Sequence, residues 1–190
     1  MNSLKNKVVV ITGASKGLGR ALAIEYAGVG CKIVAAARSL DKLESLINQI
    51  QRNGGTAISV PTDITKYQEI DFLSNSALSS YKKIDIWINN AGILYEAPIE
   101  DVDPEEVKKT IETNIYGTLF GCKAAVNVMK LQKTGQIINI LSTSGLIGRK
   151  NQSVYCLTKW GGNGLHNSLK QELLKYNIRV IAVYPGGYGY

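Results

Sequence analysis

The sequence predicts an α/β fold in which a doubly wound parallel sheet carries helices on both faces. Three observations lead there. Six short β-branched runs are each almost continuously apolar, as strands buried on both faces are. Helix-like stretches, with apolar residues recurring at three and four, separate those runs along the whole chain. A glycine-rich turn leaves the first run and opens the first helix.

The first strand is expected at residues 8–11, where Val8-Val9-Val10-Ile11 is wholly β-branched, and its helix at 17–27. The second strand (32–36) leads to a helix at 41–53, for which Ser39 or Asp41 can serve as N-cap and Asn53-Gly54-Gly55 as left-handed exit. The third strand (57–60) precedes a helix at 66–80, and the fourth strand covers 84–88. A long helical stretch at 104–130 starts with Asp103-Pro104-Glu105-Glu106, a cap followed by Pro and two acids, and a break is expected near Asn114. The fifth strand (136–141), a last helix (153–176) and the sixth strand (179–183) complete the series. Right-handed crossovers between successive strands make the whole sheet parallel. No linker or repeat interrupts the alternation, so residues 1–190 read as a single domain. Ligands of such sheets sit outside the carboxyl ends of the strands, where the strand order reverses.

Composition narrows the function classes. A chain of 190 residues buries enough surface to need no disulfide staples. Lys and Arg number 22 against 15 acids, a net charge of +7, yet no basic run exceeds the pairs Lys82-Lys83, Lys108-Lys109 and Arg149-Lys150. Scattered charges of this kind are a solvated surface, and no nucleic-acid partner is expected. Cys31, Cys122 and Cys156 are far apart, so they are expected as buried reduced thiols, and no metal site is expected. No apolar run approaches the roughly 20 residues of a membrane helix, and no signal peptide precedes the first strand. No membrane partner and a cytoplasmic location are therefore expected. The one histidine, His166, reads as a packing or interface residue, which leaves no acid-base-nucleophile triad to assemble.

The glycine turn reads Thr12-Gly13-Ala14-Ser15-Lys16-Gly17-Leu18-Gly19. Gly13 permits the tight turn out of the strand, Gly17 lets backbone approach a pyrophosphate, and Gly19 allows close packing of helix on sheet. The helix N-terminus favours the phosphate charge. The spacing is G-x-x-x-G-x-G rather than G-x-G-x-x-G.

Five elements in order, the turn 12–19, Asn89-Asn90-Ala91-Gly92, Asn114, Ser142 and Tyr155-Cys156-Leu157-Thr158-Lys159, together resemble the short-chain dehydrogenase/reductase family. The resemblance implies a Rossmann-type sheet and an oxidoreductase that moves hydride between a nicotinamide cofactor and a small carbonyl or alcohol substrate. On that footing Tyr155 is the general acid/base, Lys159 also binds the nicotinamide ribose, and Ser142 holds the substrate oxygen. Tyr155 and Lys159 are four apart near a helix start and so are neighbours on one face. A free phenol titrates near 10, and Lys159 is the cation expected to lower it by about 3 units for work at neutral pH. Thr143 and Ser144 are rivals for the role of Ser142, which is favoured because its separation from Tyr155 resembles the family pattern.

By the same resemblance Asn114 kinks its helix and holds a water that links Lys159 to solvent; by propensity alone it would be a tolerated surface residue. Gly13, Ser15, Lys16, Gly17, Leu18 and Gly19 line the cofactor, with Asn90, Ala91 and Gly92 beside the adenine ribose. Asp63 lies beside the adenine ring or, on its own chemistry, caps the helix at 65–80. Pro185 and Gly186 form a turn beside the nicotinamide, although the hydroxyl residue that usually follows is missing from Tyr188-Gly189-Tyr190. The second strand ends Ala35-Ala36-Ala37-Arg38-Ser39 with no acid; Arg38 can grip a 2′-phosphate bidentately, Ser39 adds a hydroxyl and Lys16 a second charge, so NADP(H) is expected over NAD(H).

Gly161, Gly162 and Gly164 would weaken an isolated helix, and close packing on a second copy could offset this, so a homodimer or homotetramer is expected. Leu94, Tyr95, Leu146, Ile147, Gln152, Tyr184 and Tyr188 suggest a mostly apolar substrate pocket, or else local packing. Family members continue for several dozen residues with a substrate lid and a seventh strand. Their absence here raises a second reading, a cofactor-binding protein with little turnover, and makes the sixth strand an open sheet edge.

Overall fold

The structure, a computed structural model, describes residues 4–186. The expectations attached to Tyr188 and to the missing hydroxyl in Tyr188-Gly189-Tyr190 lie outside the described residues.

Six parallel strands form one sheet: β1 (Val8–Thr12), β2 (Lys32–Ala37), β3 (Thr56–Pro61), β4 (Ile86–Asn89), β5 (Gly135–Ile140) and β6 (Ile178–Val183). Their order is β3-β2-β1-β4-β5-β6, so the chain runs outward from β1 to β3 and then returns to lay β4 against the other side of β1. That reversal is the switch point expected to hold a ligand. Ile11 pairs with Ala35 on one side and Ile88 on the other, so β1 is bonded on both edges. The fourth strand begins two residues later than expected, although the Asp85 backbone still bonds Val8 on one side and Gln136 on the other. Its carboxylate accepts the Val8 amide and pairs with Lys7 and Lys83, each at 2.9 Å.

Alternation along β1 divides the core. Val8 and Val10 face one layer, formed by Ile70, Leu73 and Ala77 of α3 (Tyr67–Tyr81) and Ala125, Val128 and Met129 of α5 (Gly117–Gln132). Val9 and Ile11 face the other, formed by Ala23 of α1 (Gly17–Gly28) and Leu43, Leu46 and Ile50 of α2 (Leu40–Arg52). A continuous apolar run satisfies both faces at once, which is why the strands were legible. Leu169 and Leu173 bring α6 (Ser153–Leu173) onto the first layer. All three thiols are buried and unbridged, and His166 is buried on α6. Among the described residues β6 lies at the edge of the sheet, with Arg179, Ile181 and Val183 exposed on one face. Among the described residues no helix is long and apolar enough to cross a membrane.

The expected break near Asn114 is a change of helix type. α4 (Pro104–Ile111), capped by the Asp103 carboxylate on the Glu105 amide, runs into a π-helical turn at Glu112–Tyr116 and on into α5. The Gly117 amide reaches back five residues to the Glu112 carbonyl. Such turns accommodate one extra residue in a helix and recur at functional sites.

α5 packs closely on β4 where it lacks side chains. Ala is normally about 1 kcal/mol better than Gly inside a helix. At Gly121 a Cβ would instead collide with the Asn89 side-chain oxygen and stand 2.9 Å from Trp87 Nε1. Gly121→Ala is therefore expected to lower stability by about 2 kcal/mol, against the helix-propensity trend, as read by urea unfolding.

Candidate active site

The tips of β1 and β4 are bonded to each other. The Thr12 hydroxyl accepts the amides of Asn90 and Ala91 at 3.1 and 3.2 Å, and Asn90 Nδ2 donates to the Thr12 and Gly13 carbonyls. This contact leaves no room at Gly13, where a Cβ would stand 2.8 Å from Ala91 Cα and where φ is +67°. Gly17 also has positive φ, +53°, and a Cβ there would meet nothing within 4 Å because the backbone borders an open cleft. Lys16 stands at the N-cap of α1 without a side-chain bond to the first turn, so those amides are left to a ligand.

The cleft has a volume of about 530 Å³ and gathers most of the expected cofactor residues: Gly13, Ser15, Lys16, Gly17, Leu18 and Gly19 from the turn, Arg38 and Ser39 after β2, Asp63 after β3, and Asn90, Ala91 and Gly92 after β4. Pro185 and Gly186 do not line it; the Pro185 carbonyl accepts the Thr143 amide and so lies beside the turn after β5. Sequence reasoning missed Lys42, Thr62, Thr65 and Thr113, which also line the cleft. A lysine four residues after Arg38, in the first turn of the helix that follows β2, was the available signal for Lys42. Asp63 does not cap the third helix, which begins at Tyr67. Its carboxylate bends back to accept the Thr65 amide and hydroxyl, at 3.0 and 2.8 Å. Burial raises the Asp63 carboxyl, but the Thr65 bonds and the charges of Lys66 and Arg38 outweigh it and hold the group below the usual range.

Two of the residues expected to be catalytic, Asn114 and Lys159, meet beside Gly92. The Asn114 amide is buried, contrary to the surface reading that propensity alone allows. It accepts the Ile93 N–H at 2.9 Å and donates to the Ile93 carbonyl at 2.9 Å and to Thr158 Oγ1 at 3.1 Å. The π turn is what presents this side chain to the loop after β4. A Cβ at Gly92 would lie 3.2 Å from Asn114 Oδ1 and 3.7 Å from Lys159 Nζ, which measures how tightly the three meet. Lys159 is only 9% exposed; its ammonium donates to the Ile140 carbonyl at 3.2 Å and lies 5.5 Å from the centre of the Tyr155 ring. Burial lowers its pKa to about 8.

The three consecutive hydroxyls after β5 part company. Ser142 Oγ accepts the Ser144 amide at 3.1 Å and faces the Tyr155 phenol, whereas Thr143 Oγ1 accepts from Arg149 and the Ser144 hydroxyl donates to Gln152. The phenol departs from the sequence expectation. Burial pushes Tyr155 above its ordinary value near 10, the Ser142 hydroxyl pulls it partway back, and Cys156 pushes it up again. The lowering expected from Lys159 is absent, because desolvation of the ring dominates.

Toward the expected substrate side, Leu94, Leu146 and Ile147 are exposed apolar side chains. The polar ends of the others are engaged: Tyr95 accepts the Asp103 amide, and the Tyr184 hydroxyl donates to Asn163 at 2.7 Å.

Known proteins resemble this chain in sequence and fold. The family model for the short chain dehydrogenases matches residues 7–189. A protein of Listeria monocytogenes named an uncharacterized oxidoreductase is 38% identical over 185 residues, 96% of this chain and 75% of its own length. One of Staphylococcus aureus, so named too, is 37% identical over 98% of this chain and 80% of its own. Among solved structures, a short-chain type dehydrogenase/reductase from Mycobacterium marinum superposes with a TM-score of 0.93 at 32% identity, covering 97% of this chain and 76% of that one. A metagenomic short-chain oxidoreductase in complex with NADP gives 0.91 at 33% identity, covering 98% and 84%.

The buried ammonium has a thermodynamic signature. Lys159 titrates near 8 in the fold against 10.5 for an ordinary lysine. Between those values the unfolded chain binds more protons, so stability rises with pH, and below them the ammonium costs up to about 3 kcal/mol. Lys159→Met is expected to be more stable than the parent by about 2 kcal/mol at pH 7, the lost Ile140 bond taking back the rest, and to lose that advantage at pH 10. Paired urea titrations at the two pH values read the difference.

Proposed function

The chain belongs to the short chain dehydrogenase family, and from that premise we propose that it is an NADP(H)-dependent oxidoreductase interconverting a carbonyl and an alcohol, with Tyr155 as acid/base. The observation that carries this reading is that Gly92, which lines a cleft whose walls suit a dinucleotide, lies against Asn114 and Lys159, with Tyr155 beside Lys159 and Ser142 beside Tyr155. Gly13, Gly17 and Gly19 offer backbone without side chains, and the uncapped start of α1 offers amides to a pyrophosphate. When bound, the nicotinamide supplies or accepts the hydride.

The residues of the chain handle the proton. With its pKa raised, the phenol holds its proton at neutral pH and is ready to give it to a carbonyl oxygen. The phenolate left behind lies beside the Lys159 ammonium, which is charged below about pH 8. Ser142, its oxygen accepting the Ser144 amide, has one proton, which is directed at the Tyr155 oxygen in the free site and can turn to a substrate oxygen placed beside it. Asn114 fixes the loop that faces Lys159 by accepting the Ile93 amide and donating to its carbonyl.

NADP(H) over NAD(H) is supported by charge. Lys16, Arg38 and Lys42 line the cleft with Ser39, no acid closes β2, and the Asp63 carboxylate is turned onto Thr65. Exposed Leu157 and Trp160 on the glycine-bearing face of α6 support association of this helix with a second copy.

Two variants test the proposal. Tyr155→Phe is expected to lower kcat for carbonyl reduction by about a thousandfold with nicotinamide affinity retained, as followed by loss of NADPH absorbance. Arg38→Asp is expected to invert the ratio of kcat/KM for NADPH over NADH; a ratio that does not move would refute the cofactor assignment.

A further inference from the structure

Gln152 is expected from the sequence to face substrate, but both ends of its amide are already bonded. The Ser144 hydroxyl donates to Gln152 Oε1 at 3.0 Å, and Gln152 Nε2 donates to Glu96 Oε1 at 2.7 Å. The Ser144 amide donates in turn to Ser142 Oγ. A hydrogen-bonded chain thus runs Ser142–Ser144–Gln152–Glu96 and ties together the turn after β5, the start of α6 and the loop after β4. The Asn151 carbonyl accepts the Ala97 amide at 2.8 Å, a backbone bond that runs alongside.

The direction of the chain is dictated by its end. A carboxylate only accepts, so Glu96 compels Gln152 to present its NH2 outward and its carbonyl inward. The inward carbonyl compels the buried Ser144 hydroxyl to donate, and Ser144 turns its amide to Ser142. Gln152 occupies the N-cap of α6 and makes no side-chain bond to the first turn, which leaves its amide to this chain. Tyr155 follows three residues later.

We propose that Glu96 and Gln152 are positioning residues, whose hydrogen-bonded chain through Ser144 fixes the separation and orientation of Ser142 relative to Tyr155. The proposal rests on the reading that these two groups meet the substrate oxygen. It gives Gln152 a role other than substrate contact, and it assigns Glu96, an exposed acid that no motif marks, to the same unit.

A charge-exchange experiment decides it. Gln152→Glu sets two carboxylates against each other and is expected to lower kcat about tenfold while NADPH affinity, read by nicotinamide fluorescence, stays within about twofold. The double variant E96Q/Q152E restores a donor facing an acceptor and is expected to recover kcat to within about threefold of the parent. Ser144→Ala is expected to lower kcat as Gln152→Ala does, and their combination to be no worse than either alone. If E96Q fails to rescue Q152E, or if only Gln152 variants act and they raise KM alone, Gln152 is a substrate contact and the proposal is wrong. Hydrogen exchange gives a readout apart from turnover: peptides within 142–155 are expected to exchange faster in Q152E and to be re-protected in the double variant, with peptides within 13–19 unchanged. A parent chain that turns over no carbonyl would sink the oxidoreductase reading alone, and the exchange pattern would still settle the chain.

Discussion

The close approach of two strand tips governs the molecule. β1 and β4 are neighbours in the sheet but far apart in the chain, and nothing local brings Thr12 to Asn90. Their side chains do so by satisfying each other's backbone, with the Thr12 hydroxyl taking two amides and the Asn90 amide taking two carbonyls. Polar groups buried at such a junction must be paired or they cost more than the fold can spare. Pairing them draws the chains so near that a side chain at Gly13 has no space. From this follow the sharp exit from β1, the open amides of α1, and the loop 90–93 against which Asn114 and Lys159 are set.

The site is built at a cost in stability. A lysine that is 9% exposed and a phenol raised by burial are both poorly solvated, and the polar bonds around them, to Ile140 and Ser142, offset only part of the penalty. The rest is carried by the apolar layers on the two faces of the sheet, to which α6, the helix of Tyr155 and Lys159, contributes Leu169 and Leu173.

What could be read in advance followed from range. The strands were legible because burial on both faces leaves a local mark, an unbroken β-branched run. The Asp103 cap and the exit at Gly54, where φ is +78°, were legible because each is decided within a few residues. The glycine turn and the Tyr155–Lys159 spacing marked the site for a similar reason. Partnerships across the sheet left no such trace. Asn114 looks like a poor helix residue until Ile93, 21 positions away, is bonded to it, and Gln152 and Glu96 meet across 56 positions. The direction of the Tyr155 shift was misjudged because spacing reports neighbours, whereas desolvation depends on everything packed around the ring.

The π turn between α4 and α5 also bears on which sequences this chain can become. An extra residue in one turn advances everything after it by about 100° around the helix axis, so the apolar stripe of α5 and the capping face of α4 belong to two different registers. Loss of a single residue between 112 and 116 would remove an energetically poor turn and yield a regular helix. It would also swing Cys122, Ala125 and Met129 away from the sheet and turn Asn114 or its successor off the loop after β4. Length is therefore held fixed at this point more firmly than residue type, and change in this stretch has to proceed by replacement rather than by insertion or deletion.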